Sequence, residues 1–424
     1  MDQPERTVYR SGLGWQLGMS SFWFATSFKW FILLTLMVGQ VRAIVPDGEK
    51  NQWWGLIFAI GAVEAMIGPG LYGYLSDRCR SRFGRRRPFI AIGGALTAVA
   101  LVWLGFSNQL WMLLVGYIIV QVADDIGTGP YSALIPEYVP EAERGRAAGI
   151  MGLLKLTAQI SAAVAGVLLG SVVLIYLTMA VINILAAIWV LYTVREPQYE
   201  PVSEPSKFEF SVALKGLLTP FKEPDFRWVW FTSFLNAFGF YLIVAYLPNY
   251  LKDAVFDMTA VKPEEVDTFL RVRTIGLAVV ISLTGALASV FAGKLADRFG
   301  RKKIVIWSGW LMFATLIPFA IIPNYTVMLG LAVVFGVGYG AYLSSDWALV
   351  SDILKSRDDI GRDMGLWQMS VATPQVVAGG VGVLIDAMNQ QYAPNHYGYT
   401  TAFLIASFGF LFGSTLVKRV RGSS

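Results

Sequence analysis

The chain has 424 residues, of which 55% are hydrophobic and only 15% are charged, and its mean hydropathy is +0.55. Soluble domains carry about a quarter charged residues, so this composition excludes a soluble protein and indicates a polytopic membrane protein in contact with a lipid bilayer. The net charge of +5 lies in loops beside apolar segments, which argues against a nucleic-acid partner. One cysteine, one histidine and no nucleophile–base set predict no metal site, no cofactor and no enzymatic activity.

Twelve apolar segments predict twelve membrane-spanning helices. The first six cover residues 14–41, 52–75, 88–106, 109–135, 147–170 and 173–194. The second six cover residues 228–251, 273–293, 303–322, 325–350, 364–386 and 399–417. We therefore expect a six-helix bundle over residues 1–195, a proline-rich cytoplasmic linker over 196–227 and a second six-helix bundle over 228–424.

The distribution of lysine and arginine predicts the orientation of these spans. Most of the 34 basic residues fall in the N-terminal tail, the C-terminal tail and the loops on the same side as residues 79–86. Short basic loops stay on the cytoplasmic side of a membrane. Both termini are therefore predicted to be cytoplasmic, in a monomer of the plasma membrane (the inner membrane of a bacterium).

An arginine-rich motif occurs twice. The first copy, at residues 73–88, reads GYLSDRCRSRFGRRRP and follows the second span, and a shorter copy, GKLADRFGRKK, occupies residues 293–303 after the eighth. Asp77 and Asp297 hold equivalent positions in the two copies. The chain therefore consists of two related halves, which is typical of transporters that move one half against the other.

The pattern GxxxDRxGRRR after a second span, with a degenerate copy after an eighth, resembles the major facilitator superfamily. The longer stretch LSDRCRSRFGRRRPFI at 75–90 and the stretch GPYSALIP at 129–136 resemble the sucrose transporters and the wider group of glycoside–pentoside–hexuronide:cation symporters. This resemblance implies an all-α fold of twelve helices in two pseudo-symmetric bundles, alternating access and cation-coupled sugar uptake.

Two positions depart from the plant sucrose carriers. Those carriers have an acid where this chain has Gln121 and an arginine where it has Ser132. This chain instead carries Asp124 and Asp125. These residues lie about one helical turn beyond Gln121, so either the acid has moved along the same helix face or the substrate or coupling ion differs.

Ionisable residues inside the predicted spans are candidates for ion coupling, because an unpaired charge in a bilayer is costly. Asp124 and Asp125 are the first candidates, since two adjacent carboxylates resist ionising together. Static pairing of these acids with Lys29 or Lys155 is the alternative. Glu64 is a candidate second protonation site or a partner of Lys29. We expect protons rather than sodium as the coupling cation.

A sugar-binding site needs flat apolar faces and planar polar groups that pair with hydroxyls. The predicted substrate-binding residues are the polar and aromatic side chains of the spans: Trp23, Lys29, Gln121, Lys155, Gln159, Asn236, Asp346 and Gln368.

Charged residues at the cytoplasmic ends of the spans are predicted to form a gate whose bonds exist in one transport state and break in the other. They are Asp77, Arg78, Arg85, Glu137, Arg146, Asp297, Arg298, Arg301, Asp352 and Arg362. Asp77 and Asp297 are expected to cap helix ends and to pair with loop arginines. Glu137 is expected to pair with Arg146, and Asp352 with Arg362.

The sequence thus predicts a secondary active transporter, with proton-coupled symport of a small sucrose-like or maltose-like glycoside as the first hypothesis. Two alternatives stay open: an exporter or uniporter of another small solute, and a facilitator-fold receptor or assembly factor that transports nothing.

Overall fold

The structure, a computed structural model, describes residues 12–45, 50–196, 218–262, 265–354, 359–392 and 395–421. These residues fold into helices and loops. Most of the predicted linker, residues 197–217, lies outside the described residues.

The helices form twelve spans, numbered here in chain order. Spans 1 to 6 are Leu13–Ile44, Lys50–Ala65 with Gly68–Arg78, Arg87–Gly105, Leu110–Ser132 with Leu134–Tyr138, Arg144–Leu168 and Val172–Thr193. Spans 7 to 12 are Pro224–Tyr250, Val266–Phe299, Arg301–Ile321, Tyr325–Ile353, Ile360–Gly380 with Gly382–Gln391, and Tyr397–Thr415. Nine described helices are long and apolar enough to cross a membrane unaided. The predicted all-α fold of twelve spans is confirmed.

Sequence signals explain where the spans begin and break. Span 10 begins at an N-cap, because the Asn324 side chain accepts a hydrogen bond from Val327 N at 3.1 Å. Span 2 is divided just before Pro69, which lies in the first turn of its second helix. A proline removes a backbone donor and weakens the helix around it. Span 8 extends beyond its predicted ends, because the helix continues past the apolar stretch into polar residues.

The two bundles meet along spans 2 and 5 of the first half and spans 8 and 11 of the second. Glycines allow the backbones to touch. A Cβ atom on Gly73 would lie 2.1 Å from Gly361 O, and one on Gly293 would lie 2.3 Å from Gly145 O. Close backbone approach at small residues is how membrane helices associate, since lipid supplies no hydrophobic force between them. These contacts lie at the end of the bundle that carries the two arginine-rich motifs, called here the arginine-rich end.

Candidate functional site

A central cavity of about 490 Å³ lies between the two halves. Both halves line it, and most of its wall is aromatic or apolar. Of the predicted coupling and substrate residues, those on the cavity wall are Trp23, Gln121, Asp124, Asp125, Lys155, Gln159, Asn236, Asp346 and Gln368. Lys29 and Glu64 do not line it; each lies behind one of the two aspartates.

Asp124 is held by donors from span 1. The fully buried Lys29 ammonium forms an ion pair with Asp124 Oδ1, and Trp30 Nε1 donates to Oδ2 at 2.6 Å. Thr26 adds a longer bond, 3.5 Å, to Oδ1. Asp124 therefore has the static pairing with Lys29 that the sequence offered as an alternative to ion coupling.

Asp125, the next residue, contacts another acid instead. A Cβ atom on Gly68 would lie 2.4 Å from Glu64 Oε1 and 2.6 Å from Asp125 Oδ2, so these two carboxyl oxygens share the space that this glycine leaves open. Glu64 Oε2 and Asp125 Oδ2 are both buried without a hydrogen-bond donor from the part of the chain that the structure describes. Among the described residues, no lysine or arginine forms an ion pair with Glu64 or Asp125. Two carboxyl groups hydrogen-bond to each other only when one of them carries a proton.

Of the two lysines offered as static partners of the acids, Lys29 forms such a pair, whereas Lys155 contacts aromatic rings. Its Nζ atom lies 4.2 Å from the centroid of the Trp23 ring and 5.5 Å from that of Trp347. Among the described residues, no carboxylate forms an ion pair with Lys155. Cation–π contacts with two indoles stabilise the ammonium in place of a carboxylate.

In the second half, Asp346 accepts bonds from neutral hydroxyls. Ser233 Oγ donates at 3.0 Å and Tyr342 Oη at 2.9 Å. Trp367 Nε1 in turn donates to Ser233 Oγ at 3.0 Å. Trp367 also packs edge-on against Trp347, with 4.8 Å between ring centroids, so aromatic rings and this hydroxyl network form one side of the cavity.

The amide side chains of the cavity differ in what they have available for a ligand. Asn236 is occupied, because its Nδ2 donates to Thr232 O at 2.8 Å and its Oδ1 accepts from Ser414. Gln159 accepts from Ser282 Oγ at 3.2 Å, across the boundary between the halves. Gln368 Nε2 is buried without a hydrogen-bond acceptor, so it is the amide donor best placed to serve a solute hydroxyl.

The arginine-rich end of the cavity is closed by contacts between the halves. Asp77 accepts bonds from Gly361 N and Arg362 N, both at 3.0 Å. Asp297 accepts bonds from Gly145 N and Arg146 N, both at 2.9 Å. Each aspartate thus caps the first turn of a helix in the opposite half, where the helix dipole favours a negative charge. The geometry matches the caps predicted for these two residues.

A buried arginine supports the first of these caps. Arg86 is fully buried, and its Nη2 lies 2.5 Å from both Asp77 Oδ1 and Glu137 Oε1. Arg85 also pairs with Glu137. The predicted pair of Glu137 with Arg146 is therefore wrong. Arg146 donates its backbone N–H to Asp297, and Glu137 forms ion pairs with Arg85 and Arg86 instead.

The second half has an equivalent cluster. Arg301 pairs with Asp297 at 3.4 Å and also with Asp352. Arg144 of the first half reaches Asp352 Oδ1 at 3.1 Å. The predicted pair of Asp352 with Arg362 is wrong, because Arg362 instead pairs with acids of its own helix end, Asp359 and Asp363.

Of two other predicted gate residues, one forms an ion pair between the halves and the other does not. Arg78 joins the halves through Asp359 at 3.2 Å. Arg298 is exposed and forms no ion pair with any described residue. Sequence reasoning did not select Arg86 or Arg144, although both lie in or beside the basic loops that drew attention to their neighbours.

Glu196 is a further anchor that sequence reasoning missed. Its Oε2 accepts from Arg85 N at 2.7 Å, and its Oε1 accepts from Arg87 N at 2.8 Å. It therefore caps the first turn of span 3 from the end of span 6. Burial raises the pKa of the Glu196 carboxyl, and the backbone N–H bonds oppose that rise.

Cross-half hydrogen bonds of the described residues are concentrated at the arginine-rich end. Among the described residues, the cross-half hydrogen bond farthest from the arginine-rich end is Ser282 to Gln159, at the cavity wall. A membrane protein with two six-helix halves, a central cavity and charged contacts that close one end is a multi-pass membrane transporter of a small-molecule solute.

Comparisons with known proteins agree with that class. The profile of the Major Facilitator Superfamily matches residues 18–263 and 263–422, so the chain belongs to this family. The multidrug resistance protein MdtG of Proteus mirabilis (strain HI4320) is 24% identical over 353 residues, covering 79% of this chain and 81% of that protein. The sucrose transport protein SUC4 of Arabidopsis thaliana is 26% identical over 133 residues, covering 28% of this chain and 26% of that protein.

A solved structure shows the same fold. The fucose:proton symporter FucP of E. coli superposes with a TM-score of 0.72 at 17% sequence identity, covering 96% of this chain and 98% of that one. The resemblance to the major facilitator superfamily found in the arginine-rich motifs is thus confirmed over the whole chain.

Proposed function

We propose that this protein is a proton-coupled transporter that takes up a small sugar or glycoside by alternating access, with its arginine-rich end on the cytoplasmic side of the plasma membrane. The observation that carries the proposal is the carboxyl pair of Glu64 and Asp125 beside the cavity. This pair has no cationic partner among the described residues. It is therefore the acidic group of the first half whose charge changes most easily.

The neighbouring aspartate supports this assignment by contrast. Asp124 forms an ion pair with Lys29 and accepts a hydrogen bond from Trp30 Nε1, so its charge is already compensated within the protein. A proton on the Glu64–Asp125 pair removes a buried charge and permits the halves to move past one another, because an uncompensated charge in the bilayer costs several kcal/mol. When the proton is released on the other side of the membrane, the carboxyl pair regains its charge, and the free-energy cost of burying that charge returns.

The cavity wall suits a sugar. The indole rings of Trp23, Trp30 and Trp367 line the cavity, and Gln368 Nε2 is a donor without an acceptor. Stacking against aromatic faces combined with a few placed polar groups is the usual way in which such solutes are bound. The similarity to a sucrose transport protein and the fold of a fucose:proton symporter support the same solute class.

Export is the runner-up, supported by the similarity to the multidrug resistance protein MdtG over most of both chains. The same carboxyl pair would then exchange a proton for the solute. Symport and antiport are distinguished in an assay with purified protein in liposomes that enclose a pH-sensitive dye. Addition of sucrose, maltose or fucose outside acidifies the lumen for a symporter and alkalinises it for an antiporter.

Solute uptake that moves no protons in that assay would contradict coupling altogether. Liposomes without protein and liposomes with the Asp257→Asn variant serve as controls, because Asp257 lies in the link between spans 7 and 8, bonded to Thr259. Radiolabelled solute measured in parallel shows whether a silent dye signal means no transport or uncoupled transport.

Lys155 favours a second solute class, an anionic sugar or other organic anion. Its ammonium faces the cavity without a described carboxylate partner, and a solute carboxylate would supply the missing charge. The test compares glucose with glucuronate, which differ in one carboxylate, by thermal stabilisation of the purified protein. Stabilisation by glucuronate alone that is lost in Lys155→Gln supports this class, and stabilisation by glucose in both proteins contradicts it.

A further inference from the structure

A second cavity, of about 380 Å³, lies outside the transport site. It is formed between the loop that follows span 2 and the end of span 6. Three arginines, Arg82, Arg87 and Arg195, line it together with Glu196. None of these three arginines is part of the cross-half contacts described above.

The cavity has surplus positive charge. Among the described residues, no carboxylate forms an ion pair with any of its three arginines. Arg87 Nη2 donates to Leu191 O at 2.8 Å, while its Nε atom is buried with no acceptor. Glu196 offsets one of the three positive charges, but both of its oxygens accept backbone N–H bonds from the first turn of span 3, so the arginine side chains keep donors for another anion.

The position of the cavity indicates what occupies it. An exposed apolar stripe runs along span 6 toward the cavity through Leu185, Ile188, Trp189 and Tyr192. These positions recur every three or four residues, so they form one face of the helix, and in a membrane-spanning helix an exposed apolar face contacts lipid chains. Tyr192, 78% exposed, lies at the cavity itself, where aromatic residues mark the level of the lipid headgroups.

We propose that this cavity binds the phosphate group of an anionic phospholipid, whose acyl chains lie against the span 6 stripe. Arg82 and Arg195, both exposed, contact the phosphate from the rim, and Arg87 contacts it from inside. Basic pockets at the ends of membrane helices are suited to anionic headgroups, and the guanidinium group matches the geometry of a phosphate. Free phosphate has the same charge chemistry, but the adjacent lipid-facing stripe favours the lipid.

The test measures lipid binding to the purified full-length protein by native mass spectrometry. The probes are short-chain phosphatidylglycerol, phosphatidylcholine with the same chains, and inorganic phosphate. The double variant Arg82→Gln with Arg195→Gln removes two exposed charges of the cavity. The double variant Arg298→Gln with Lys303→Gln removes two exposed charges at the same end of the bundle, away from the cavity, and is the matched control.

Wild type is expected to bind phosphatidylglycerol at least about tenfold more tightly than phosphatidylcholine. The cavity variant should lose about fivefold in affinity for each arginine removed, and the control variant should stay within about twofold of wild type. Equal binding of the two lipids, or an unchanged preference in the cavity variant, overturns the proposal. Displacement of the lipid by inorganic phosphate at millimolar concentration assigns the site to a free anion and also overturns it.

Loss of fold is distinguished from loss of the site. The thermal unfolding temperatures of both double variants are measured in detergent before lipid is added. Both should match wild type, because the four side chains are exposed and form no ion pair with a described residue. If the cavity variant melts early, Arg195→Gln alone replaces it, and an unchanged lipid preference in that single variant counts against the proposal.

Discussion

Asp77 and Asp297 occupy equivalent positions in the two halves, and each accepts two backbone N–H bonds from the first turn of a helix in the opposite half. The aspartate of the first half caps span 11, and the aspartate of the second half caps span 5. The arginine-rich end is therefore closed by two related caps. Because both caps cross the boundary between the halves, both must break when this end opens.

The first prediction concerns these caps. Asp77→Asn or Asp297→Asn removes a negative charge from a helix N-terminus. The interaction of that charge with the helix dipole stabilises the closed state by about 1 to 2 kcal/mol in a partly buried setting. Its loss therefore shifts the population toward the state that is open at the arginine-rich end. We expect a cysteine placed at the buried Ser351, in a Cys79→Ser background, to react about fivefold to thirtyfold faster with a maleimide in either variant.

The control for the cap variants is Asp257→Asn. The same change is made there at an exposed aspartate whose hydrogen bonds, among the described residues, go to nearby Thr259. Its labelling rate should match that of the parent protein. Unchanged labelling in both cap variants would show that the two aspartates do not hold this end shut.

The second prediction tests the backbone contact beneath the caps. Gly73→Ala places a Cβ atom 2.1 Å from Gly361 O, a distance that forces the two backbones apart, so the closed state is destabilised. Gly166→Ala is the matched control, because a Cβ atom there meets no atom within 4 Å. In the same labelling assay, Gly73→Ala should accelerate the reaction at residue 351, and Gly166→Ala should leave it unchanged. Equal rates in the two variants would contradict the closing role of this contact.

The third prediction concerns the pair formed by Lys29 and Asp124. Removing one partner of a buried ion pair leaves an uncompensated charge and costs about 3 to 5 kcal/mol. Asp124→Asn should therefore lower the thermal unfolding temperature of the purified protein markedly. The double variant Lys29→Met with Asp124→Asn should recover most of the loss, since no lone charge is left in it. A double variant as unstable as the sum of the single variants argues against a mainly structural pair.

The fourth prediction separates coupling from transport. Asp125→Asn or Glu64→Gln removes the acid that would exchange the proton but leaves the Asp124–Lys29 pair intact. We expect solute counterflow, which needs no net proton movement, to persist in liposomes. Uptake driven by a pH gradient should fall at least about a hundredfold, the size of effect typical of a lost proton-transfer group. Gradient-driven uptake that survives in both variants would place the coupling site elsewhere.

Much of the architecture was predictable because it depends on local composition. Apolar runs of the required length predict spans, and basic loops beside them mark one face of the membrane. The partners of Asp124 and Asp125 were not predictable. These neighbours point in directions about 100° apart on a helix, and which of them meets Lys29 or Glu64 depends on how spans 1 and 2 are rotated against span 4.

The wrong pairings predicted at the arginine-rich end have the same cause, because they too depend on how the helices pack. Pairing Glu137 with Arg146 and Asp352 with Arg362 assumes that neighbours along the chain are neighbours in space. The structure instead brings Arg86 to Glu137 and brings Arg144 across the boundary to Asp352. Several arginines lie within reach of each acid, so the sequence leaves many pairings open and the packing of the helices selects one.

By itself, the sequence determined that this is a twelve-span membrane protein with two related halves and a repeated arginine-rich motif, because hydrophobicity and charge act over short stretches of chain. Only the tertiary structure decided that Asp124 is neutralised while Asp125 faces another acid, that Lys155 packs over Trp23 and beside Trp347, and that each motif aspartate caps the opposite half. These contacts join residues about a hundred or more positions apart in most cases. Their geometry depends on the rotation and register of whole helices, which are set when the two halves pack together.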